Sequence, residues 1–364
     1  MTIKRIAVNT GGGDAPGLNA VIRAVVLAAE NQGWEVYGIQ KGYNGILNGD
    51  GSGVVRLDRR AVRGITHLGG TILGTTNRGN PMEFPEVQAD GSVVSRDRTP
   101  EILEVFRERG WDALVAIGGD GSLRIAHRLH ELGLPVVGVP KTIDNDLAAT
   151  AVTFGFFTAV DTATDALDKL HSTAEAHERV MVVELMGRHT GWIALFAGLA
   201  GTADVILIPE IPYRLDRVCE SIERRYETGR RFAIVAVAEG ARAAGEGAAF
   251  VETGRVGAAD RYGGIADRLA QQIGERTGRE TRSLVLGHLQ RGGHPNAYDR
   301  LLSLRFGAAA VKLIQDGCFG CMVALDPPDV KAVPLVDAIR ELKQVPLDGD
   351  VIATARSQGI SLGD

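Results

Sequence analysis

The chain has 364 residues, 45% hydrophobic and 23% charged, with a formal net charge of −5. That composition excludes a disordered or fibrous chain, and the acidic balance argues against nucleic acid or an anionic membrane as a bulk partner. No apolar run approaches the ~18 residues that a bilayer span needs, and since single cores stop growing at roughly 250–300 residues, two lobes are expected.

Met1 to Asn9 runs directly into a strand-like segment without the basic–apolar–small pattern of a signal peptide, so a cytoplasmic location is expected. Taken in chain order, short β-branched runs then alternate with longer amphipathic stretches. Ile6 to Val8 leads through a glycine loop into a helical pattern over Leu18 to Asn31, and Trp34 to Ile39 follows as a strand. Asn77 to Pro100 is polar and rich in Gly and Pro, which places it outside the sheet as a surface excursion. Ala113 to Ile117 precedes a helix over Leu123 to Leu132, and Pro135 to Val139 is the next strand. The second half continues with strands at Val180 to Leu185, Val205 to Ile208, Phe232 to Ala238 and Ser283 to Leu286. Helical patterns over Gly191 to Ala200, Leu215 to Thr228 and Leu301 to Gln315 alternate with them. Short strands alternating with longer helices indicate βαβ units and parallel sheets. Helices on both faces explain why these strands are apolar on both sides. The C-terminal stretch, with Pro327, Pro328, Pro334 and Pro346, reads as a wrap-around tail. Three cysteines make no disulfide framework; Cys318 and Cys321 form a lone C-x-x-C, either two semi-buried thiols in a reducing cytosol or a metal or redox pair.

In open parallel sheets, ligands bind beyond the carboxyl ends of the strands. Several strands here end in glycine plus a charged or hydroxyl side chain. The first runs into Gly11-Gly12-Gly13-Asp14-Ala15-Pro16-Gly17. Glycines between strand and helix let backbone N–H groups approach a phosphate, and the helix start adds about half a positive charge; the alternative is a plain tight turn. Neither G-x-G-x-x-G nor a GKS/GKT P-loop occurs. The next strand ends Gly118-Gly119-Asp120-Gly121-Ser122. An Asp at a phosphate loop serves a cation, because alone it repels the anion, and Mg²⁺ takes one or two carboxylates plus phosphate oxygens. Ser122 is either a ligand or a helix N-cap. The third strand ends Lys141-Thr142-Ile143-Asp144-Asn145-Asp146, either a concentrated polar site or a loop with an Asx turn. Downstream, Arg179, Arg188, Arg282, His288 and Arg291 cluster at strand ends against the acidic background. Arginine's planar fork suits bidentate phosphate contact. Glu239, closing the strand Phe232 to Ala238, could accept from a sugar hydroxyl.

Together these segments resemble the phosphofructokinase family, in the family's order and over nearly the whole chain. G-G-D-A-P-G-x-N at Gly12 to Asn19, G-G-D-G-S at Gly118 to Ser122 and T-I-D-N-D at Thr142 to Asp146 look like its phosphoryl-transfer loops. M-G-R at Met186 to Arg188 and H-x-Q-R-G-G at His288 to Gly293 look like its sugar-phosphate segments. The resemblance implies an α/β fold of two Rossmann-like lobes, with mainly parallel sheets sandwiched by helices and the active site in the cleft between them. On that pattern residues 1–150 form the donor lobe, completed by part of 290–340. Residues 151–289 form the fructose 6-phosphate lobe, and 341–364 a C-terminal tail.

The resemblance further implies Asp144 as the general base toward the sugar 1-hydroxyl, Thr142 orienting the transferring phosphoryl group, Arg188 beside them, and Asp120 serving Mg²⁺. Asp146 would be a supporting carboxylate. The donor site would be lined by Gly12, Gly13, Arg78, Gly79, Gly119, Asp120, Gly121, Ser122 and Lys141. Fructose 6-phosphate would meet Thr142, Asp144, Arg179, Met186, Gly187, Arg188, Glu239, Arg282, His288 and Arg291. In this family some of those cations come from a neighbouring subunit, which implies a homodimer or homotetramer.

The donor signature is mixed. ATP users in the family carry Gly where Gly121 stands and a small or neutral residue at position 141, whereas pyrophosphate users carry Asp and Lys there. Gly121 leaves room for a nucleotide's α-phosphate while Lys141 can pair with either donor, so ATP is favoured and pyrophosphate is the alternative. Arg23 keeps the first of two effector arginines found in bacterial ATP enzymes and Leu27 replaces the second, so effector control is expected to be weak. A non-catalytic sugar-phosphate or nucleotide sensor on the same fold is opposed by intact Asp120, Thr142, Asp144 and Arg188. A nicotinamide dehydrogenase is opposed by the missing G-x-G-x-x-G.

Overall fold

A computed structural model of the chain describes residues 3–47, 52–77, 79–247, 250–252 and 261–364. They divide into two compact units. One takes residues 3–157 and 291–342, and the other takes the remainder of 158–290 together with 343–364.

The first unit is built on a seven-stranded sheet in the order Asp329–Pro334, Cys321–Asp326, Val136–Pro140, Ala113–Gly118, Arg5–Thr10, Glu35–Ile39, Val54–Leu57. The inner five strands are parallel, and each edge strand turns back antiparallel. Because side chains alternate along a strand, both faces must be apolar for both to be buried. Ile6, Val8, Val115, Ile117, Val137 and Val139 enter one core with the helices Leu18–Asn31 and Ala297–Gln315. Ala7, Leu114, Ala116 and Val136 enter another with Thr99–Arg109 and Asp120–Glu131. Gly307 lets the two helices on the first face approach closely, since a Cβ there would lie 2.7 Å from the Val21 carbonyl oxygen. Asn296 caps the helix Ala297–Gln315 by accepting the Asp299 N–H at 2.8 Å, so this helix starts four residues before the expected Leu301.

The polar excursion forms its own antiparallel pair, Phe84–Val87 with Val93–Arg96, separate from the large sheet. The proline-rich stretch departs from expectation. Asp329–Pro334 is an edge strand of the large sheet and not part of a tail. Its prolines occupy the preceding turn and the strand's last residue, where a missing N–H removes no ladder bond.

The second unit holds a parallel four-stranded sheet in the order Thr281–Val285, Val180–Leu185, Ala233–Ala238, Val205–Leu207. Val180, Val182, Val205, Leu207, Val235 and Val237 pack with the helices Leu215–Glu227 and Ile265–Thr277. The helix Trp192–Ala200 lies on the other face, where Gly198 sits against Ile206 and Ala236. Residues 343–364 join this unit: Ser361 bridges Val205, and Val345 donates its N–H to Glu210. Among the described residues no helix is long and apolar enough to cross a membrane.

Candidate active site

In the first unit three loops leave the carboxyl ends of adjacent parallel strands, and hydrogen bonds tie them together. Gly11 N–H donates to Ile117 O at 2.9 Å, and Lys141 N–H donates to Gly118 O at 2.9 Å. The glycines are required by proximity. A Cβ on Gly11 would lie 2.5 Å from Ser122 Oγ, and one on Gly118 would lie 2.2 Å from Ser122 Cβ. Gly12 has φ 77°, a region that disfavours any side chain. Its N–H donates to Thr76 O, and its carbonyl accepts from Thr75 Oγ1 at 2.6 Å. Gly79 lies against Asn44 and Phe84. Arg78, an expected donor contact, lies outside the described residues.

Asp120 begins the helix Asp120–Glu131, with Gly119 as a cap that supplies no side-chain bond. The carboxylate therefore sits where the helix dipole favours negative charge, and its Oδ2 also accepts from Arg124 Nε at 3.0 Å. Ser122 lies on the first helical turn, so the N-cap alternative falls away. Gly121 is open, with nothing within 4 Å of the place a Cβ would occupy. Among the described residues no group of three or more His, Cys, Asp or Glu could hold a metal unaided. A single carboxylate at a helix start suits a cation whose other ligands are phosphate oxygens and water.

The third loop is the driest. Thr142, Asp144 and Asp146 are all buried, with Asp144 4% exposed. Thr142 Oγ1 accepts the Asp144 N–H at 3.1 Å, Thr153 Oγ1 donates to Thr142 O at 2.7 Å, and Asn145 Oδ1 accepts the Thr153 N–H at 3.2 Å. Asn145 takes φ 51°, a conformation its short polar side chain tolerates. Lys141 is 3% exposed and its Nζ donates to Gly13 O. Burial first, and then the charge of Arg291, pull its ammonium down to about 8, against the attraction of Asp144, Asp14 and Asp146. Arg291 approaches the same loop, donating to Asp14 O at 3.1 Å and packing on Gly13. Lys141 and Arg291 thus bring two cations to one glycine loop.

In the second unit the loop Met186–Gly191 follows the strand Val180–Leu185. Gly187 has φ 149° and Arg188 φ 50°, and a left-handed non-glycine residue costs roughly 1–2 kcal/mol. Surrounding acceptors enforce this shape. Gln290 Oε1 takes the Met186 N–H at 3.3 Å, and Glu239 Oε1 takes the Arg188 N–H at 3.1 Å. Gly240 has no room for a Cβ, which would lie 1.8 Å from Arg188 O. Gln290 is buried within the H-L-Q-R segment, and no role was read for it from sequence. Exposed His288 lies on the same short turn, Gly287–Arg291.

The remaining cations do not gather there. Arg179 precedes the strand Val180–Leu185 and Arg282 is the second residue of Thr281–Val285, so both lie at the amino ends of the sheet. They share Glu280, at 2.9 and 2.7 Å. The intervening strand separates them from Arg188 by about 20 Å, so within one chain these cations do not form one cluster. Cys318 and Cys321 are free thiols, half-buried, with their sulfurs 3.0 Å apart. The same fold recurs among known proteins. The family described as Phosphofructokinase matches residues 5–314. The chain is 52% identical over 361 residues to an ATP-dependent 6-phosphofructokinase of Chloroflexus aurantiacus, covering 99% of this chain and 98% of that one. It is also 52% identical over 346 residues to a pyrophosphate–fructose 6-phosphate 1-phosphotransferase of Amycolatopsis methanolica, covering 94% and 96%. Among solved structures it is similar to T-state Pichia pastoris phosphofructokinase, with a TM-score of 0.80 and 30% identity. That match covers 100% of this chain and 38% of that one, so the chain spans about two fifths of that protein.

Proposed function

The chain belongs to the phosphofructokinase family, and from that premise we propose that it transfers the γ-phosphoryl group of ATP to the 1-hydroxyl of D-fructose 6-phosphate, yielding fructose 1,6-bisphosphate. The observation that carries the choice of donor is the open space at Gly121, between Asp120 and Ser122 in the chain. An α-phosphate fits where an Asp side chain would crowd and repel it. Lys141 leaves a second reading open, pyrophosphate as donor, because its buried ammonium can pair with a phosphate of either kind.

In the proposed reaction Asp144 accepts the proton of the sugar 1-hydroxyl, a role for which a positioned base typically contributes about 10²–10⁴ in rate. Thr142 orients the phosphoryl group, and Lys141 neutralises its oxygens. Asp120 would hold Mg²⁺, which supplies charge neutralisation across the donor phosphates when bound. Met186, Gly187, Arg188, Glu239 and His288 bind the sugar phosphate, and Arg291 serves the phosphate side of the transfer. Positioning and charge neutralisation, with little covalent work by the protein, are what phosphoryl transfer asks of a site.

Arg179 and Arg282, far from Arg188 within one chain, are assigned to the sugar phosphate bound by a second copy, which makes the working form a homodimer or homotetramer. The reaction is placed in the cytoplasm; three free thiols are compatible with a reducing compartment. The deciding experiment is an assay with fructose 6-phosphate and Mg²⁺, once with ATP and once with pyrophosphate. Turnover with ATP alone is expected. Turnover with pyrophosphate alone would reverse the donor assignment.

A further inference from the structure

We propose that Glu210 is a positioning residue for the sugar-phosphate loop Met186–Gly191, anchoring the loop's trailing end to the C-terminal segment that begins at Lys343. The inference rests on the reading of that loop as the sugar-phosphate site.

The loop is held at three backbone N–H groups, each taken by a side-chain oxygen. Gln290 holds Met186 at the entrance and Glu239 holds Arg188 in the middle. Glu210 holds Gly191 at the exit, with Oε1 and Oε2 both 3.1 Å from the N–H nitrogen. The first two residues lie in segments whose sequence already suggested sugar-phosphate binding. Glu210 lies in none. It follows Pro209 at the end of the strand Val205–Leu207, in the segment Ile-Pro-Glu-Ile-Pro.

Glu210 Oε1 does a second thing: it accepts the Val345 N–H at 3.0 Å. One carboxylate therefore joins the loop to a segment more than 130 residues later in the chain. Next to it, Trp192 donates its indole N–H to Lys343 O at 2.8 Å, with the Lys343 ammonium 5.6 Å from the ring centre. Gly191 makes the contact possible, since a Cβ there would lie 2.3 Å from Ile208 and 3.0 Å from Glu210 Oε2. Burial raises the Glu210 carboxyl above its ordinary value, and the Val345 and Gly191 N–H groups oppose that rise. The group is thus a half-buried carboxylate whose lone pairs are committed to backbone donors. Arg188 depends on this frame, because its left-handed backbone persists only where neighbours over-determine it.

The test compares Glu210→Ala, Glu210→Gln and Arg188→Gln in the full chain. The readouts are steady-state kinetics for both substrates, melting temperature, and amide hydrogen exchange over residues 186–196. Loss of a charged acceptor that aligns a binding loop is expected to raise the fructose 6-phosphate KM about tenfold in Glu210→Ala. The ATP KM and kcat are expected to stay within about twofold, with faster exchange over 186–196. Glu210→Gln, isosteric and still able to accept through one oxygen, is expected to fall between the two and keeps the test decisive if the alanine variant does not fold. The inference is overturned if the sugar-phosphate KM is unchanged, or if both KM values rise together as the melting temperature falls. Should Arg188→Gln leave the sugar-phosphate KM unchanged, the reading of the loop fails; hydrogen exchange then still decides whether Glu210 holds it.

Discussion

On the proposed role of Lys141 as a donor contact, donor binding is expected to be proton-linked. Its ammonium is buried and its Nζ is bonded to Gly13 O, and burial together with Arg291 brings its pKa from 10.5 to about 8. A fall of that size corresponds to about 3 kcal/mol against the charged form. The sign follows from linkage. Between about pH 8 and 10.5 the unfolded chain binds this proton and the folded chain does not, so the stability contribution of Lys141 increases with pH across that window. A phosphate placed against Nζ supplies the missing counter-charge and pulls the pKa back up. At about pH 8, where half the molecules carry neutral Lys141, donor binding should therefore take up about half a proton, falling to near zero at about pH 6.5. Titration calorimetry with ATP in two buffers of different ionisation enthalpy measures that uptake. The difference between wild type and Lys141→Met removes the titration of ATP's own phosphates. Equal uptake by the two proteins at about pH 8 would refute a contact between Lys141 and the donor.

Replacing Asp144 with Ser is expected to lower turnover by about 10²–10⁴ while sugar-phosphate binding persists; equal loss of both in steady-state and equilibrium measurements would make its role structural. Gly121→Asp places a carboxylate in open space without backbone strain, so the variant should fold. Two unit charges about 5 Å apart at an effective dielectric of about 20 repel by ~3 kcal/mol, and screening at this exposed position leaves about half, roughly tenfold in kcat/KM for ATP. Unchanged ATP kinetics would mean that position 121 does not face the nucleotide. Leu27, on the helix Leu18–Asn31, packs against the apolar core, where a phosphate site would want a cation. Millimolar phosphoenolpyruvate is accordingly expected to change activity by less than about twofold; a several-fold change would show that other cations suffice.

Most of the sheet framework was legible because its strands are buried on both faces. Ile6 to Val8, Ala113 to Ile117 and Val180 to Val183 are continuous apolar runs, which only a covered parallel sheet needs. Three helices had no comparably plain signature. Phe156–His177 is interrupted by Thr, Asp and Ser, which compete with the backbone in non-helical states, and its helicity comes from tertiary packing. Thr99–Arg109 begins inside a stretch that reads as an excursion, and Ile265–Thr277 follows a run of Gly and Ala with no strand pattern. Asp329–Pro334 was hidden by its prolines, because a rule that excludes proline from central strands does not exclude it from the end of an edge strand.

The candidate site divides in the same way between what side chains announce and what topology supplies. Carboxylates, cations and glycines at strand ends are conspicuous, because their chemistry is costly anywhere a ligand does not need it. Lys141 illustrates this: an ammonium held at about 8 by burial is a poor stability choice, which marks it as a candidate phosphate partner. Where each cation points is not conspicuous. Arg179 and Arg282 look like members of the Arg188 cluster until the parallel register places them at the other end of the strands. Glu210 and Thr153 carry no signal at all, since each acts on a backbone atom whose arrival depends on the path of the whole chain. A sequence can therefore nominate the groups that meet phosphate while saying little about the groups that aim them, and the second set decides whether the first can work.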